Sequence, residues 1–344
     1  MHYRTFFYAI LTCLTTTIIS PATASPIHGK VAQISYVEMK SSADLETLFR
    51  NLHREGYGTV ILRIFHNRHD RYLTTTADTG NLPDAGVYFP TEYAPVIQDL
   101  TTPAVEQARR YDMQLFAWLG TRRADWLPPQ NKLKDPVTDR LSLYAPGSIP
   151  YLQQLFSDLA RTGVNGILIQ DDLVYRTHDE LPAGVNVQNY RGYTPEYRQI
   201  ANKRALIINQ TLEAILDSVH QVNPHCKVWF NIYYENGTNP DHALMWLAQD
   251  LELLAKLPID RFSIMSYHRQ IAQELNLSPM EAVFQTARII KNIAATVGYQ
   301  RIIPKIQTED FVTGESVPLT EVQALERLLP PSVPVAYMPV RRTP

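Results

Sequence analysis

The chain has 344 residues, 45% hydrophobic and 19% charged, with 32 Lys plus Arg against 34 Asp plus Glu for a net charge of −2. That composition describes a folded globular protein and excludes a disordered or fibrous one. The near-neutral balance speaks against nucleic acid as the main partner, because phosphate binding draws on a basic excess; two cysteines, Cys13 and Cys226, exclude a disulfide scaffold or a Cys-rich zinc site.

Residues 1–24 carry the first pattern. His2 and Arg4 give a short positive start, an apolar, Thr-rich run extends from Phe6 to Ile19, and Ala22-Thr23-Ala24 follows the helix breaker Pro21. This is the pattern of a secretory signal peptide, with cleavage expected after Ala24 and a mature domain over 25–344. The apolar run, about 14 residues, is shorter than the roughly 20 that a membrane span needs. The expected location is therefore periplasmic or secreted.

Beyond it, apolar β-branched runs alternate with helical patterns. Strands are predicted at 31–37, 59–65, 114–119, 166–169, 227–233, 261–265, 301–306 and 333–337. Helices are predicted between them at 43–55, 101–112, 149–162, 198–222, 240–256, 279–296 and 319–329. In the fourth of these helices Ile208, Leu212, Ile215, Val219 and Val222 recur at spacings that put them on one face. Ser278-Pro279 opens a later helix with a cap residue and a first-turn proline. Eight strand–helix repeats predict an α/β protein, a single (β/α)8 barrel of the TIM type. A doubly wound sheet is the competing arrangement, weakened because no glycine-rich turn follows the first strand. Two long connections, 66–100 and 171–197, fall on the strand-exit side, where barrel enzymes build their sites.

Polar residues collect at those exits. The first strand ends near Glu38, the second in Arg63, His66 and Asp70, the fourth in Gln170, Asp171 and Asp172, and the fifth in Asn231, Tyr233 and Glu235. The sixth ends in Tyr267 and His268, the seventh in Gln307, Glu309 and Asp310, and the eighth at Tyr337. Carboxylates, amides and tyrosines at one end suit a sugar site, where carboxylates act as acid, base or nucleophile and aromatic faces stack on pyranose rings. Asp171-Asp172 is the strongest local signal. Side chains alternate along a strand, so one carboxylate is expected to face the mouth and the other to cap a turn. Glu235 and Asp310 are the expected partner carboxylates, with His268 and His66 as assisting groups. Trp118 and Trp229 lie inside strands and read as core, whereas Trp126, in a loop, is expected as a sugar platform. No HExxH, metal-spaced His/Asp cluster or GxSxG is present, so neither a metal, another cofactor nor a serine mechanism is expected.

Seven strings in order then resemble glycoside hydrolase family 153, the C-terminal barrel domain of PgaB-type poly-β-1,6-N-acetyl-D-glucosamine processing proteins. They are GVYFPTEYAPVIQDL (86–100), LFAWLG (115–120), RLSLYAP followed by DLARTGVNGILIQDD (140–172), FNIYYENGTNPDHALMWLAQDL (230–251), SIMSY (263–267), IQTEDF (306–311) and VAYMP (335–339). The resemblance spans roughly 31–340. It implies a barrel that cleaves partly de-N-acetylated poly-β-1,6-N-acetyl-D-glucosamine, a biofilm exopolysaccharide, with catalysis by the pair at Asp171 and Asp172. It also implies exopolysaccharide export machinery as a partner. Asn231 and Tyr233, and Gln307 and Asp310, match the family's strand-five and strand-seven positions. The sequence differs from the family pattern at Gln170, Thr177, Phe311 and Val340, and it lacks the deacetylase domain of PgaB-type proteins. A non-catalytic polysaccharide-binding barrel that assists export is the alternative these differences motivate.

Overall fold

A computed structural model describes residues 27, 29–35, 42–68, 85–182, 185 and 194–340. Eight parallel strands close into a barrel: β1 (Lys30–Ile34), β2 (Tyr57–Arg63), β5 (Gln114–Leu119), β6 (Gly166–Ile169), β7 (Lys227–Tyr233), β8 (Arg261–Met265), β9 (Ile302–Gln307) and β10 (Ala336–Met338). A two-stranded antiparallel piece, β3 (Phe65–His66) with β4 (Gly86–Val87), folds over the exit of β2. The doubly wound alternative is thereby excluded. The signal-peptide segment, Glu38 and Asp70 lie outside the described residues.

Helices cover the barrel: α1 (Ser42–Arg54), α2 (Thr101–Arg110), α3 (Ser148–Arg161), α4 (Pro195–Val222), α5 (Glu235–Thr238), α6 (Pro240–Leu247), α7 (Leu251–Leu254), α8 (His268–Leu275), α9 (Pro279–Val297) and α10 (Leu319–Leu328). Their starts follow local chemistry. Thr194 accepts the Tyr197 amide at the head of α4, and Ser278 and Glu281 form a reciprocal capping box at the head of α9, each ahead of a first-turn proline. The single helix expected over 240–256 is instead two. Ala248 adopts a left-handed conformation (φ 54°) that closes α6, and Asp250 caps α7 by accepting the Leu253 amide. Among the described residues no helix is long and apolar enough to cross a membrane.

The pairing registers fix which side chains enter the barrel, because paired residues of parallel neighbours share a face. Gln33, Arg63, Phe116, Trp118, Gln170, Trp229, Asn231, Ser263, Lys305 and Gln307 point inward. Phe116 and Trp229 stack across the interior at 3.7 Å between ring centroids. Gly166 makes room for them: a Cβ there would lie 2.1 Å from the Phe116 ring. The eight barrel strands all run the same way, so their exits open on one mouth.

Candidate functional site

The acidic pair after β6 divides its work. Asp172 is buried, and its carboxylate accepts from the Thr121 amide (2.9 and 3.0 Å), the Thr121 hydroxyl (2.7 Å) and the Arg123 amide (2.7 Å). Burial pushes this carboxyl upward, against the donors that favour its ionised form. Asp172 therefore ties the loop after β6 to the loop after β5. Every donor it meets among the described residues is protein backbone or a fixed hydroxyl, the turn-capping position that alternation along the strand leads one to expect of one member of the pair.

Asp171 faces the other way. It is half-buried, and Tyr233 at the end of β7 donates its hydroxyl to Asp171 Oδ2 at 3.1 Å. Burial, together with the Asp171 charge, raises the Tyr233 hydroxyl well above its usual range, so it remains a donor. The Arg176 guanidinium in turn donates to Tyr233 Oη at 3.0 Å and lies 5.3 Å from that ring's centroid. The same Arg176 acts on Glu235, the first residue of α5. Burial pushes the Glu235 carboxyl upward, nearby Glu274 adds to the effect and Arg176 opposes it. Glu235 Oε2 is buried without a hydrogen-bond partner among the described residues. Asp171 thus hydrogen-bonds into the Tyr233–Arg176 network, and Glu235 lies within the electrostatic reach of Arg176.

The floor and walls come from other strands. Trp118 donates its indole N–H to Gln170. Arg63 lies over the rings of Phe65 (4.5 Å) and Trp118 (5.6 Å), and Lys305 lies 5.8 Å from the Trp118 centroid. His66 Nδ1 sits 2.8 Å from Tyr88 Oη. Gln307 accepts the Arg269 amide at 3.1 Å and so holds the head of α8 at the mouth. Tyr267 donates to Met338 Sδ at 3.0 Å and packs edge-on against Phe311. Asn231 is buried and points inward beneath Tyr233.

Four expected site residues serve structure instead. Trp126 is buried, donates its indole N–H to Tyr151 Oη at 2.7 Å and packs on Phe65, so it offers no platform to a sugar. Tyr337 is on the outer face of β10, bonded to Glu326 of α10. His268 is fully buried against Glu321 at 3.1 Å, and burial lowers its imidazole. Asp310 spends Oδ1 on the amides of Val312 and Thr313 in the turn after β9. Two charged residues at the mouth, Arg176 and Lys305, were not expected. Arg176 had no sequence signal, being one arginine in a long loop. Lys305 had one: a lysine inside the apolar run IIPKIQ.

Below the acidic pair, the loop after β6 is pinned by two buried arginines. Arg122 donates to Leu141 O, Val174 O, Asp179 and Glu180, and its guanidinium stacks 3.8 Å from the Tyr175 centroid. Arg204 of α4 donates to the carbonyls of Arg176, Thr177 and Asp179. Asp179 and Glu180, the acids nearest Thr177, are thereby consumed by Arg122 rather than offered to a substrate. Among the described residues no three His, Cys, Asp or Glu side chains converge as a metal site.

Comparison with known proteins gives the family and the fold. The family described as hypothetical glycosyl hydrolase family 13 (GHL13) matches residues 40–331 of the chain. No curated protein sequence matches it. The solved glycoside hydrolase domain of PgaB (BpsB) from Bordetella bronchiseptica superposes with a TM-score of 0.72 at 19% identity, covering 91% of this chain and 94% of that one. The endo-1,4-β-mannanase of Rhizomucor miehei gives a TM-score of 0.56 at 11% identity over 91% of this chain and 86% of that one. The β-amylase catalytic domain of Paenibacillus polymyxa gives 0.55 at 11% identity, over 90% and 91%. At such identities the structural likeness speaks for the barrel alone.

Proposed function

This chain belongs to the hypothetical glycosyl hydrolase family 13 and is a glycoside hydrolase; from that premise we propose that it hydrolyses partly de-N-acetylated poly-β-1,6-N-acetyl-D-glucosamine outside the cytoplasm. Asp171 is the carboxylate that supplies or stabilises the attack, and Glu235 is the acid that protonates the departing oxygen. The observation that carries the assignment is the Asp171–Tyr233–Arg176 network with Glu235 desolvated beside it.

The chemistry follows from these environments. Glycosidic cleavage needs one carboxylic acid to protonate the departing oxygen and one carboxylate to supply or stabilise the attack at the anomeric carbon. A carboxyl raised by burial holds its proton to higher pH than an exposed one, which suits Glu235 to the first task. Tyr233 holds Asp171 by its hydroxyl, and Arg176 fixes Tyr233 in turn. The substrate class is supported by the ordered motifs at 86–339 and by the PgaB glycoside hydrolase domain matching over almost its full length. The signal-peptide pattern at 1–24 supports the location, and export machinery for the polymer is the partner that fits it.

The test is release of oligosaccharides from partly de-N-acetylated poly-β-1,6-N-acetyl-D-glucosamine, read by mass spectrometry. Wild type is expected to shorten the polymer, and Asp171→Asn and Glu235→Gln are expected to lose at least about 100-fold of that activity while staying folded. Full activity in Asp171→Asn refutes the assignment. Binding without cleavage by the wild type refutes hydrolysis of this polymer.

A further inference from the structure

The outer face of α9 is apolar in its first half and cationic in its second. Met280, Phe284, Arg288 and Lys291 recur at helical spacing and are all exposed, Phe284 at 60%. A cavity of about 700 Å³ opens beside them, walled by Phe284, Tyr299 and, at the end of α10, Leu328 and Leu329, with Arg288 and Lys291 also lining it. Leu328 is itself 43% exposed. A contiguous exposed apolar patch around a concave centre is the form of an interaction site rather than of ordinary surface.

The charges at this groove are unpaired. Among the described residues neither Arg288 nor Lys291 makes a side-chain hydrogen bond or an ion pair. On other outer helices Arg110 pairs with Glu46, Arg161 with Asp158 and Arg198 with Asp241. The carboxylates nearest in sequence to the groove residues are engaged elsewhere: Glu281 in the capping box with Ser278, and Glu326 with the hydroxyl of Tyr337. The groove therefore presents two free cations beside an apolar floor, and its electrostatic complement is an anion attached to an apolar body.

Position and shape narrow the occupant. Tyr299 opens the turn ahead of β9, and Leu328 and Leu329 close α10 ahead of β10. The groove thus runs down the outer flank toward the strand-entry end, away from the mouth. The partly de-N-acetylated polymer proposed as substrate carries free amines, which these cations repel. A flat membrane surface does not fill a concavity, and a cavity of this size takes a few side chains of a segment rather than the face of a whole domain. We propose that this groove docks an acidic peptide segment of a partner protein. Large apolar side chains of the segment enter between Phe284, Tyr299 and Leu328, and flanking carboxylates meet Arg288 and Lys291. A partner held there leaves the mouth open to substrate.

The test is selection of displayed random peptides of about twelve residues on the wild-type protein, with counter-selection on the triple variant Phe284→Ser, Arg288→Glu, Lys291→Glu. All three side chains are exposed, so this variant is expected to keep the wild-type Tm and the wild-type rate of polymer cleavage. Enriched peptides are expected to carry Asp or Glu close to Leu, Phe or Trp. In fluorescence anisotropy an enriched, fluorescein-labelled peptide is expected to bind wild type at least about tenfold more tightly than the double variant Arg288→Glu, Lys291→Glu. Its counterpart with Lys in place of the acids is expected to show the reverse preference. Enrichment of neutral or basic peptides, no enrichment over the counter-selected variant, or equal affinity for wild type and the double variant overturns the proposal. A wild-type dimer in sedimentation velocity that Phe284→Ser dissociates makes a second copy the occupant and also overturns it. So does flotation of wild type, but not of the triple variant, with vesicles of phosphatidylethanolamine and phosphatidylglycerol. Peptide binding is read without turnover, so failure of the substrate assignment does not bear on this inference.

Discussion

Replacing Arg122 by methionine tests whether the loop that presents Asp171 is held by one buried cation. Arg122 is fully buried, and it satisfies Asp179 at 3.0 Å, Glu180 at 2.8 Å, Leu141 O at 2.9 Å and Val174 O. Methionine fills much of the same volume but leaves two carboxylates without their counter-charge. Breaking a buried ion pair from one side costs about 3–5 kcal/mol, chiefly because the remaining charge is uncompensated. Burial raises the Glu180 carboxyl and Arg122 opposes this, so removing Arg122 makes protonation of Glu180 easier and softens the loss. A cost of about 4 kcal/mol is expected. For a barrel of this size the unfolding entropy is about 0.65 kcal/mol/K, which converts that cost to a Tm lower by about 6 °C. Differential scanning calorimetry at pH 7 reads it. The triple variant Arg122→Met, Asp179→Asn, Glu180→Gln should recover more than half of the loss, because no buried charge is then orphaned. A Tm within about 1.5 °C of wild type for Arg122→Met, which corresponds to about 1 kcal/mol, refutes the reasoning.

The other predictions separate catalysis from support. Asp172→Ala leaves the Thr121 amide, the Thr121 hydroxyl and the Arg123 amide without their acceptor; at about 1 kcal/mol or more each, the loss is about 3 kcal/mol, read by urea unfolding. Asp171→Asn should unfold at the wild-type midpoint yet lose activity, the reverse of the Asp172 outcome. The raised Glu235 carboxyl makes activity fall as pH rises through its titration, because the acid form is the working one; Glu235→Gln should abolish that alkaline limb and lower kcat by about 10²–10⁴-fold. Trp126→Phe should lower Tm and leave KM within about twofold, since its ring faces Phe65 and its N–H faces Tyr151.

The barrel was legible because strand burial is a two-sided constraint. Strands buried on both faces read as continuous apolar runs, and the intervals 114–119, 166–169, 227–233 and 261–265 coincide with β5, β6, β7 and β8. What was missed depends on single dihedrals or on short polar segments. Nothing in ALMWLAQDLELL announces that Ala248 turns left-handed and divides a helix. The one-turn α5 and the polar α8 lack the length over which an apolar period can be counted.

The site was legible as a ring but not as a division of labour. Gln170, Asp171, Tyr233 and Glu235 lie together at the strand exits because topology alone brings strand ends together. Which carboxylate is tied into the protein is decided by three donors from Thr121 and Arg123, about 50 residues upstream in the chain, and no local pattern encodes them. The histidine, tryptophan and tyrosine expectations failed for a related reason. His268, Trp126 and Tyr337 are polar-tipped side chains near the mouth, but each found its partner in an outer helix or loop: Glu321, Tyr151 and Glu326. Lys305 shows the converse. Period-two alternation puts it on the same inward face of β9 as Ile303 and Gln307, and burial of a lysine there is expensive.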